Sequence, residues 1–417
     1  MKSLFFLWGL LIPMPAIAIN SGTNLLAIAN FVLVFIIVVG CYKKIWRKKT
    51  IIIDKTEWLW YLFSVLSIMT LFISFFNLSG EWLNNSFAMT IKNITFILMI
   101  LMVFSKRELL YYRPSFIKGL YYSALINLVW AFLQMYFGYV LGVNINEAFF
   151  SNILHLDGGI DWNQNVSNNI VYRMSGLSWE PANFGFIANV GYVLSEKKYL
   201  KFIFAMAILL STSKTGMVCL AIILIASVLS RENSFVKKIY KISLKKVLIS
   251  MVVIPTIILL ITYYYFDTII VFIDRAVNMI DLLITALTTT DNESANIHKL
   301  YYEQIFTVYG LSDISNVILG CGMFCAGYPY AVNHIVPYSG IWNPESDFIT
   351  LFVGNGILGG IIYYLILIRG YIYNNSHDIK NILLIVFVAG ILYLQCKGWM
   401  IPLVLLSIAD KEEDKTV

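Results

Sequence analysis

The chain has 417 residues, of which 59% are hydrophobic and only 13% charged, with a formal net charge of +6. Soluble domains carry roughly 25% charged and about 45–50% apolar residues, so a water-exposed globular fold is excluded: there is too little polar surface to cover one. The basic residues stand in short runs between apolar stretches, not in a stripe interleaved with aromatics, which speaks against nucleic acid as a partner and fits topology determinants.

A helix rises about 1.5 Å per residue, so roughly 20 apolar residues cross the hydrocarbon. In chain order, spans are predicted at 3–19, 24–42, 57–77, 87–104, 117–141, 182–195, 199–212, 215–230, 247–266, 348–368, 381–396 and 398–409. The expected fold class is an all-α polytopic membrane protein, a single integral membrane domain over 1–417 with about twelve transmembrane helices. The pieces within 182–230 and 381–409 are short, and read as tilted or partly buried inside the bundle. The first span has signal-peptide features, namely Lys2, a short apolar core and Ala16-Ile17-Ala18. It reads as retained, and its removal would leave the later topology unchanged.

Placing the N-terminus inside and alternating sides puts most of the 30 Lys and Arg at cytoplasmic positions, including Lys43, Lys44, Lys106, Arg107, Arg113, Lys237 and Lys238. Two long outer loops remain, 142–181 and 267–347. The second contains apolar, helix-like pieces at 269–287 and 297–309, which read as amphipathic segments at the membrane surface or capping the bundle. No internal repeat is visible, which weakens an inverted-repeat transporter reading.

Six basic residues break the inside rule: Lys92, Arg173, Lys214, Arg275, Lys299 and Lys397. A cation at a helix centre costs about 2.5–3.5 kcal/mol on insertion scales, so each is a candidate for binding an anion, or else a snorkelling or loop charge. The strongest cluster is Arg173-Met174-Ser175-Gly176-Leu177-Ser178-Trp179-Glu180-Pro181. Pro181 suits a first helical turn and Trp179 an interfacial belt. Glu180 falls at a helix N-terminus, where the dipole favours its charged form. An Arg fork grips phosphate oxygens, and a nearby carboxylate takes a proton from a hydroxyl; the alternative is a structural Arg–Glu pair. The second cluster is Ser211-Thr212-Ser213-Lys214-Thr215-Gly216, which offers hydroxyls, a cation and a helix start to an anionic head group, or else a helix cap and a snorkelling lysine. The third runs from Asn333-His334 to Trp342-Asn343-Pro344-Glu345-Ser346-Asp347. It adds Glu345 and Asp347 as possible bases and His334 as a group titrating near neutral pH. The parity argument puts all three clusters on the outer side.

The four His residues are scattered and the five Cys form no CxxC pair, so no metal site is expected. Cys321 and Cys325 read as two small apolar side chains, with a disulfide between them the alternative.

At these clusters the chain resembles the O-antigen and capsular polysaccharide polymerases, often called Wzy. The likeness rests on Arg173-x-x-Gly176-x-x-x-Glu180-Pro181, the Ser213-Lys214-Thr215-Gly216 turn, Ile318-Leu319-Gly320-Cys321-Gly322, and Glu345-Ser346-Asp347-Phe348 leading to Gly354-Asn355-Gly356-Ile357-Leu358-Gly359. It covers about residues 170–370; no single motif is specific, and their order carries more weight. His298-Lys299 stands where relatives and O-antigen ligases often have Arg. Glu345 and Asp347 stand where ligases have a histidine, which favours polymerase over ligase.

The resemblance implies a GT-C-like glycosyltransferase, multi-pass in the bacterial inner membrane, with its active site facing the periplasm. Its donor and acceptor would be polyprenyl-diphosphate-linked oligosaccharides, with no metal or nucleotide cofactor and with a chain-length regulator as a possible protein partner. On this reading Arg173 and Lys214 contact the diphosphate, and Glu180 is the first choice of base, with Glu345 and Asp347 as rivals. Ser213, Trp179, Arg275, His298 and His334 help bind donor or acceptor. A ligase is the nearest alternative; a transporter or lipid-linked oligosaccharide flippase is the alternative of another class.

Overall fold

The computed structural model describes residues 1–14, 18–20, 23–46, 57–154, 163–166, 169–178, 180–229, 300–335, 344, 346–392 and 399–410. The predicted span at 247–266 and the segment 269–287 lie outside them, as do Trp179, Arg275, His298, Lys299, Glu345 and Lys397.

The chain is predominantly helical. The elements are α1 (Lys2–Leu11), α2 (Leu25–Trp46), α3 (Trp58–Asn77), α4 (Gly80–Val103), α5 (Lys106–Tyr136), α6 (Pro181–Leu194), α7 (Lys198–Leu210) and α8 (Lys214–Leu229). After these come α9 (Ile305–Leu311), α10 (Ile314–Leu319), α11 (Gly327–Val332), α12 (Asp347–Gly354), α13 (Gly356–Tyr373), α14 (His377–Leu392) and α15 (Met400–Ser407). Two short antiparallel pairings sit in loops, β1 (Ala18–Asn20) with β2 (Thr23–Asn24) and β3 (Asn163–Val166) with β4 (Asn169–Tyr172).

Among the described residues, five helices are long and apolar enough to cross a membrane: Ala27–Trp46, Trp58–Asn77, Gly80–Val103, Lys106–Leu141 and Gly356–Tyr373. Phe31, Phe35, Phe72, Phe76 and Val129 on these helices are more than half exposed. That much exposed aromatic and aliphatic surface is expected where the solvent is lipid.

The helix ends sort into two ends of one bundle. Helices α1 and α5 run parallel with their backbones touching: a Cβ on Gly119 would lie 2.1 Å from the Phe6 carbonyl oxygen, and one on Gly9 would lie 2.3 Å from that of Phe116. Such close approach needs small residues at the crossing. Helix α13 runs antiparallel to α3, with Asn355 against Ser67 (3.0 Å), Tyr363 against Phe63, and Arg369 paired with Glu57 (3.1 Å). One end therefore collects Lys2, Lys43, Lys44, Lys106, Arg107, Lys197, Lys198, Arg369 and Lys380. Arg113 is held there by Asp410, by Asn374 Oδ1 (3.0 Å) and by the Ile408 carbonyl (2.8 Å). The opposite end collects the loops after α1, α3, α5 and α7.

Three expectations are corrected. The first span is helical only over Lys2–Leu11, much less than the 3–19 expected. The last, expected at 398–409, is the eight-residue α15, every residue of which is buried. At about 12 Å it is too short to cross and too apolar all round to be a surface helix. The span expected at 348–368 is broken at Asn355 into α12 and α13, with Gly356 at φ 70°. The break is filled by another part of the chain: a Cβ on Gly320 would lie 2.2 Å from the Gly354 carbonyl oxygen. The Cys321 and Gly322 amides donate to the Val353 and Gly354 carbonyls.

Part of the long loop expected at 267–347 is a folded cap. Helices α9 and α11 bury Ile305, Val308 and Tyr330 against Ile349 and Val353 of α12. Within α9, Ile305 and Val308 are buried while Phe306 is 82% exposed.

Candidate functional site

Two stretches of non-helical chain enter the bundle at the loop-rich end, and their polar backbone needs partners there. The first is residues 173–178. Met174, Ser175, Leu177 and Ser178 are buried. Two carboxamides two turns apart on α5 hold it. Asn127 Oδ1 accepts from the Leu177 amide (2.8 Å) and the Ser178 hydroxyl (3.0 Å). Gln134 Oε1 accepts from the Gly176 amide (2.8 Å), and its Nε2 donates to the Gly176 carbonyl (3.2 Å). Gly176 sits at φ 60°, and a Cβ there would lie 2.9 Å from Asn127 Oδ1, so only glycine fits both the turn and the clamp. The loop delivers Glu180 to the N-cap and Pro181 to the first position of α6, as the sequence predicts.

The second cluster joins the first directly. Arg173 Nε donates to Thr212 Oγ1 at 2.7 Å. Thr212 has φ 53°, a region that β-branched residues rarely enter. Ser213 Oγ accepts from the Gly216 amide (3.0 Å), so Ser213 is the buried N-cap of α8. Lys214 follows as the first residue of α8 and is exposed.

Helices α6 and α8 run side by side from this end. A Cβ on Gly185 would lie 3.1 Å from Gly216 Cα. Asn189 Nδ2 bridges the two helices, donating to the Gly185 (2.8 Å) and Gly216 (2.9 Å) carbonyls. Both helix N-termini, each carrying the positive end of a dipole, thus open beside Arg173 and Lys214. The pair makes an electropositive corner with the half-exposed Glu180 on its rim. Such a corner suits an anion with a nearby proton acceptor.

Of the third cluster, Glu345 and Trp342 lie outside the described residues, and Asp347 and Ser346 stand at the start of α12. Asp347 is 1% exposed and opens α12. A Cβ on Gly390 of α14 would lie 3.2 Å from Asp347 Oδ2 and 3.6 Å from Tyr364 Oη. Ser346 Oγ donates to the Gly390 carbonyl (3.1 Å) and meets Tyr302 Oη at 2.6 Å. Helix α14 is the link, since it packs on α12 and also on α6 and α8, where Cys219 Sγ lies 4.0 Å from the Ile385 carbonyl. His334 is exposed, at φ 54°, past the end of α11, with its amide donating to the Ala331 carbonyl; that is a helix-terminating position.

The second inserted stretch is residues 319–325. Thr70 and Ser74 of α3 donate to the Leu319 and Cys321 carbonyls, and Asn85 of α4 donates to that of Phe324 (3.0 Å). Cys321 and Cys325 are both buried and not joined in a disulfide, in agreement with the apolar reading of the pair. Sequence reasoning missed Asn127, Gln134 and Asn189. Their signal was a set of carboxamides inside apolar spans, where an unpartnered polar group is expensive. Against known protein families and curated proteins, the chain matches none.

Proposed function

We propose that the protein is a membrane glycosyltransferase that joins polyprenyl-diphosphate-linked oligosaccharide repeats into a polysaccharide, with a GT-C-like fold of about twelve spans. The observation that carries this reading is the corner where Arg173 bonds Thr212 beside the paired N-termini of α6 and α8. The acceptor hydroxyl attacks the anomeric carbon of the donor. The bond from that carbon to the diphosphate oxygen breaks, the polyprenyl diphosphate leaves with the electron pair, and the base takes the hydroxyl proton. A diphosphate is already a good leaving group, so the demand falls on cationic stabilisation, on a base, and on holding two substrates in line. Arg173, Lys214 and the two helix starts supply the first. Glu180 is the preferred base, because Asp347 is buried in this arrangement.

The reading sets the loop-rich end toward the periplasm of a bacterial inner membrane. The concentration of Lys and Arg at the opposite end supports it through the positive-inside bias. A transporter reading draws on one observation, the helix broken at Asn355. Transporter breaks line a substrate cavity, whereas this one is filled by the backbone of Gly320–Gly322, which favours a latch over a gate.

The test is purified protein given a defined lipid-linked repeat and no nucleotide sugar. The expected result is a ladder of polymer, lost in Arg173→Ala and reduced at least a hundredfold in Glu180→Gln, in line with the roughly 10²–10⁴ that a general base contributes. Normal long polymer from both variants would overturn the assignment.

A further inference from the structure

The basic end of the bundle holds an open cavity of about 380 Å³ between α1 and α5, lined by Lys2, Ser3, Phe6, Ser115, Lys118 and Tyr122. It is a shallow groove open on the bundle's side, with Lys2, Ser3 and Lys118 exposed. Two lysines and three hydroxyl-bearing side chains, Ser3, Ser115 and Tyr122, line it, and among the described residues no carboxylate does. Lys118 Nζ stands 5.9 Å from the Tyr122 centroid inside the lining, and Lys2 Nζ rests 4.2 Å from the Tyr111 centroid at its edge, one rotamer from the opening. Phe6 and Tyr122 meet edge to face at 5.9 Å and form the apolar side of the cavity.

The surface that leaves this cavity is equally specific. Ser115, Lys118, Tyr122, Ile126 and Val129 follow at three- and four-residue steps, so they form one stripe of α5. Tyr122 is 43%, Ile126 43% and Val129 61% exposed. From Tyr122 through Phe132 the exposed apolar surface runs about 15 Å along the helix, half of the ~30 Å hydrocarbon core. A cationic, hydroxyl-bearing head site thus opens directly onto an acyl-length apolar track.

We propose that this cavity binds the phosphate headgroup of an anionic phospholipid, with an acyl chain lying along Tyr122, Ile126 and Val129. The phosphodiester accepts from Lys2, Lys118 and the Ser3 and Ser115 hydroxyls. The site lies at the end of the bundle away from the Arg173 corner. It depends on the membrane setting and not on the glycosyltransferase reading, so either can fail alone.

The experiment uses full-length protein in detergent, titrated with phosphatidylglycerol or phosphatidylcholine and read by native mass spectrometry. The expected result is one retained phosphatidylglycerol, bound in preference to phosphatidylcholine. At about 1 kcal/mol per Lys near a charged lipid surface, each lysine is worth about fivefold, so K2Q/K118Q weakens binding by about thirtyfold. K43Q/K197Q removes two exposed charges from the same end outside the cavity and leaves binding unchanged. Tyr122→Asp, which keeps both lysines and breaks the track, also weakens retention. Equal binding of the two lipids overturns the proposal, as does an equal loss in K43Q/K197Q, which would mark a diffuse charge effect. Displacement by millimolar inorganic phosphate would show a free-anion site and overturn it too.

Discussion

The two stretches of chain that enter the bundle are held in opposite ways. Residues 173–178 are held by side chains: Asn127 and Gln134 reach out from one intact helix and satisfy the loop's backbone. Residues 319–325 are held by backbone: they occupy the gap of a broken helix, amide to carbonyl, with hydroxyls from α3 as supplements. A side-chain clamp leaves the loop's own first side chain, Arg173, able to reach across to Thr212. A backbone latch leaves no such side chain to spare and fixes the cap to α12. The first arrangement is suited to presenting a group and the second to fastening one.

The sharpest break of that comparison is Gly320→Val. Gly320 sits at φ 91°, and its Cβ would stand 2.2 Å from the Gly354 carbonyl oxygen, which is backbone and cannot move aside. Strain of about 1–3 kcal/mol adds to an overpacking term of similar size, so a loss of about 2–6 kcal/mol is expected. The measurement is thermal unfolding in detergent with limited proteolysis across 300–335. The cap should become cleavable while the α1–α5 contact persists.

Asn127→Leu breaks the other loop. It leaves the Leu177 amide without its acceptor inside the bundle, while the Ser178 hydroxyl keeps the Pro13 carbonyl at 3.2 Å. An orphaned donor costs about 1–3 kcal/mol, so a loss of that size is expected by the same unfolding assay. Proteolysis of the cap should not change. If it does, the two loops are one cooperative unit and the distinction drawn above fails.

The long apolar spans, the start of α6 at Pro181 and the cap at Ser213 were legible in the sequence, because each follows from local composition or a local motif. Both inserted loops were not. Asn127 lies 50 residues from Leu177, and Ser74 lies 247 from Cys321, so neither partner is visible at the other. The break at Asn355 was hidden for the same reason. Gly354-Asn355-Gly356 within an apolar run reads as a tolerated flaw in one helix until Gly320 is seen to need the space. Of the candidate site, the Arg173 and Lys214 clusters were legible and do meet through Thr212. Of the third cluster, Asp347 is buried at the start of α12 against Gly390 of α14, a burial set by a helix more than forty residues away in sequence.

Ser213→Ala tests whether the corner's hydroxyls are structural. Ser213 Oγ already accepts from the Gly216 amide, so its loss should cost about 1 kcal/mol, the usual worth of an N-cap. Polymer formation should survive at a temperature where the variant is folded. A dead but fully stable variant would instead make that hydroxyl a ligand of the substrate.

The smallest expected change in stability is the most instructive about the corner. Thr212 is a β-branched residue at φ 53°, a backbone state that costs about 1–3 kcal/mol and that glycine adopts freely. Thr212→Gly relieves the strain but loses the hydroxyl that Arg173 holds. It also frees more of the unfolded chain, so the net effect should lie within about 1 kcal/mol of zero. Thr212→Ala keeps the strain and loses the same hydrogen bond, so it should be the less stable of the two. If the two variants unfold together, the backbone there carries no strain. If Thr212→Gly is stable and still polymerises at the native rate, Arg173 needs no anchor. The placing of a costly residue type where a cheap one would fold as well would then be left without a functional reason. The expected outcome is a stable Thr212→Gly protein with at least a tenfold slower ladder, which separates what the turn needs in order to fold from what Arg173 needs in order to work.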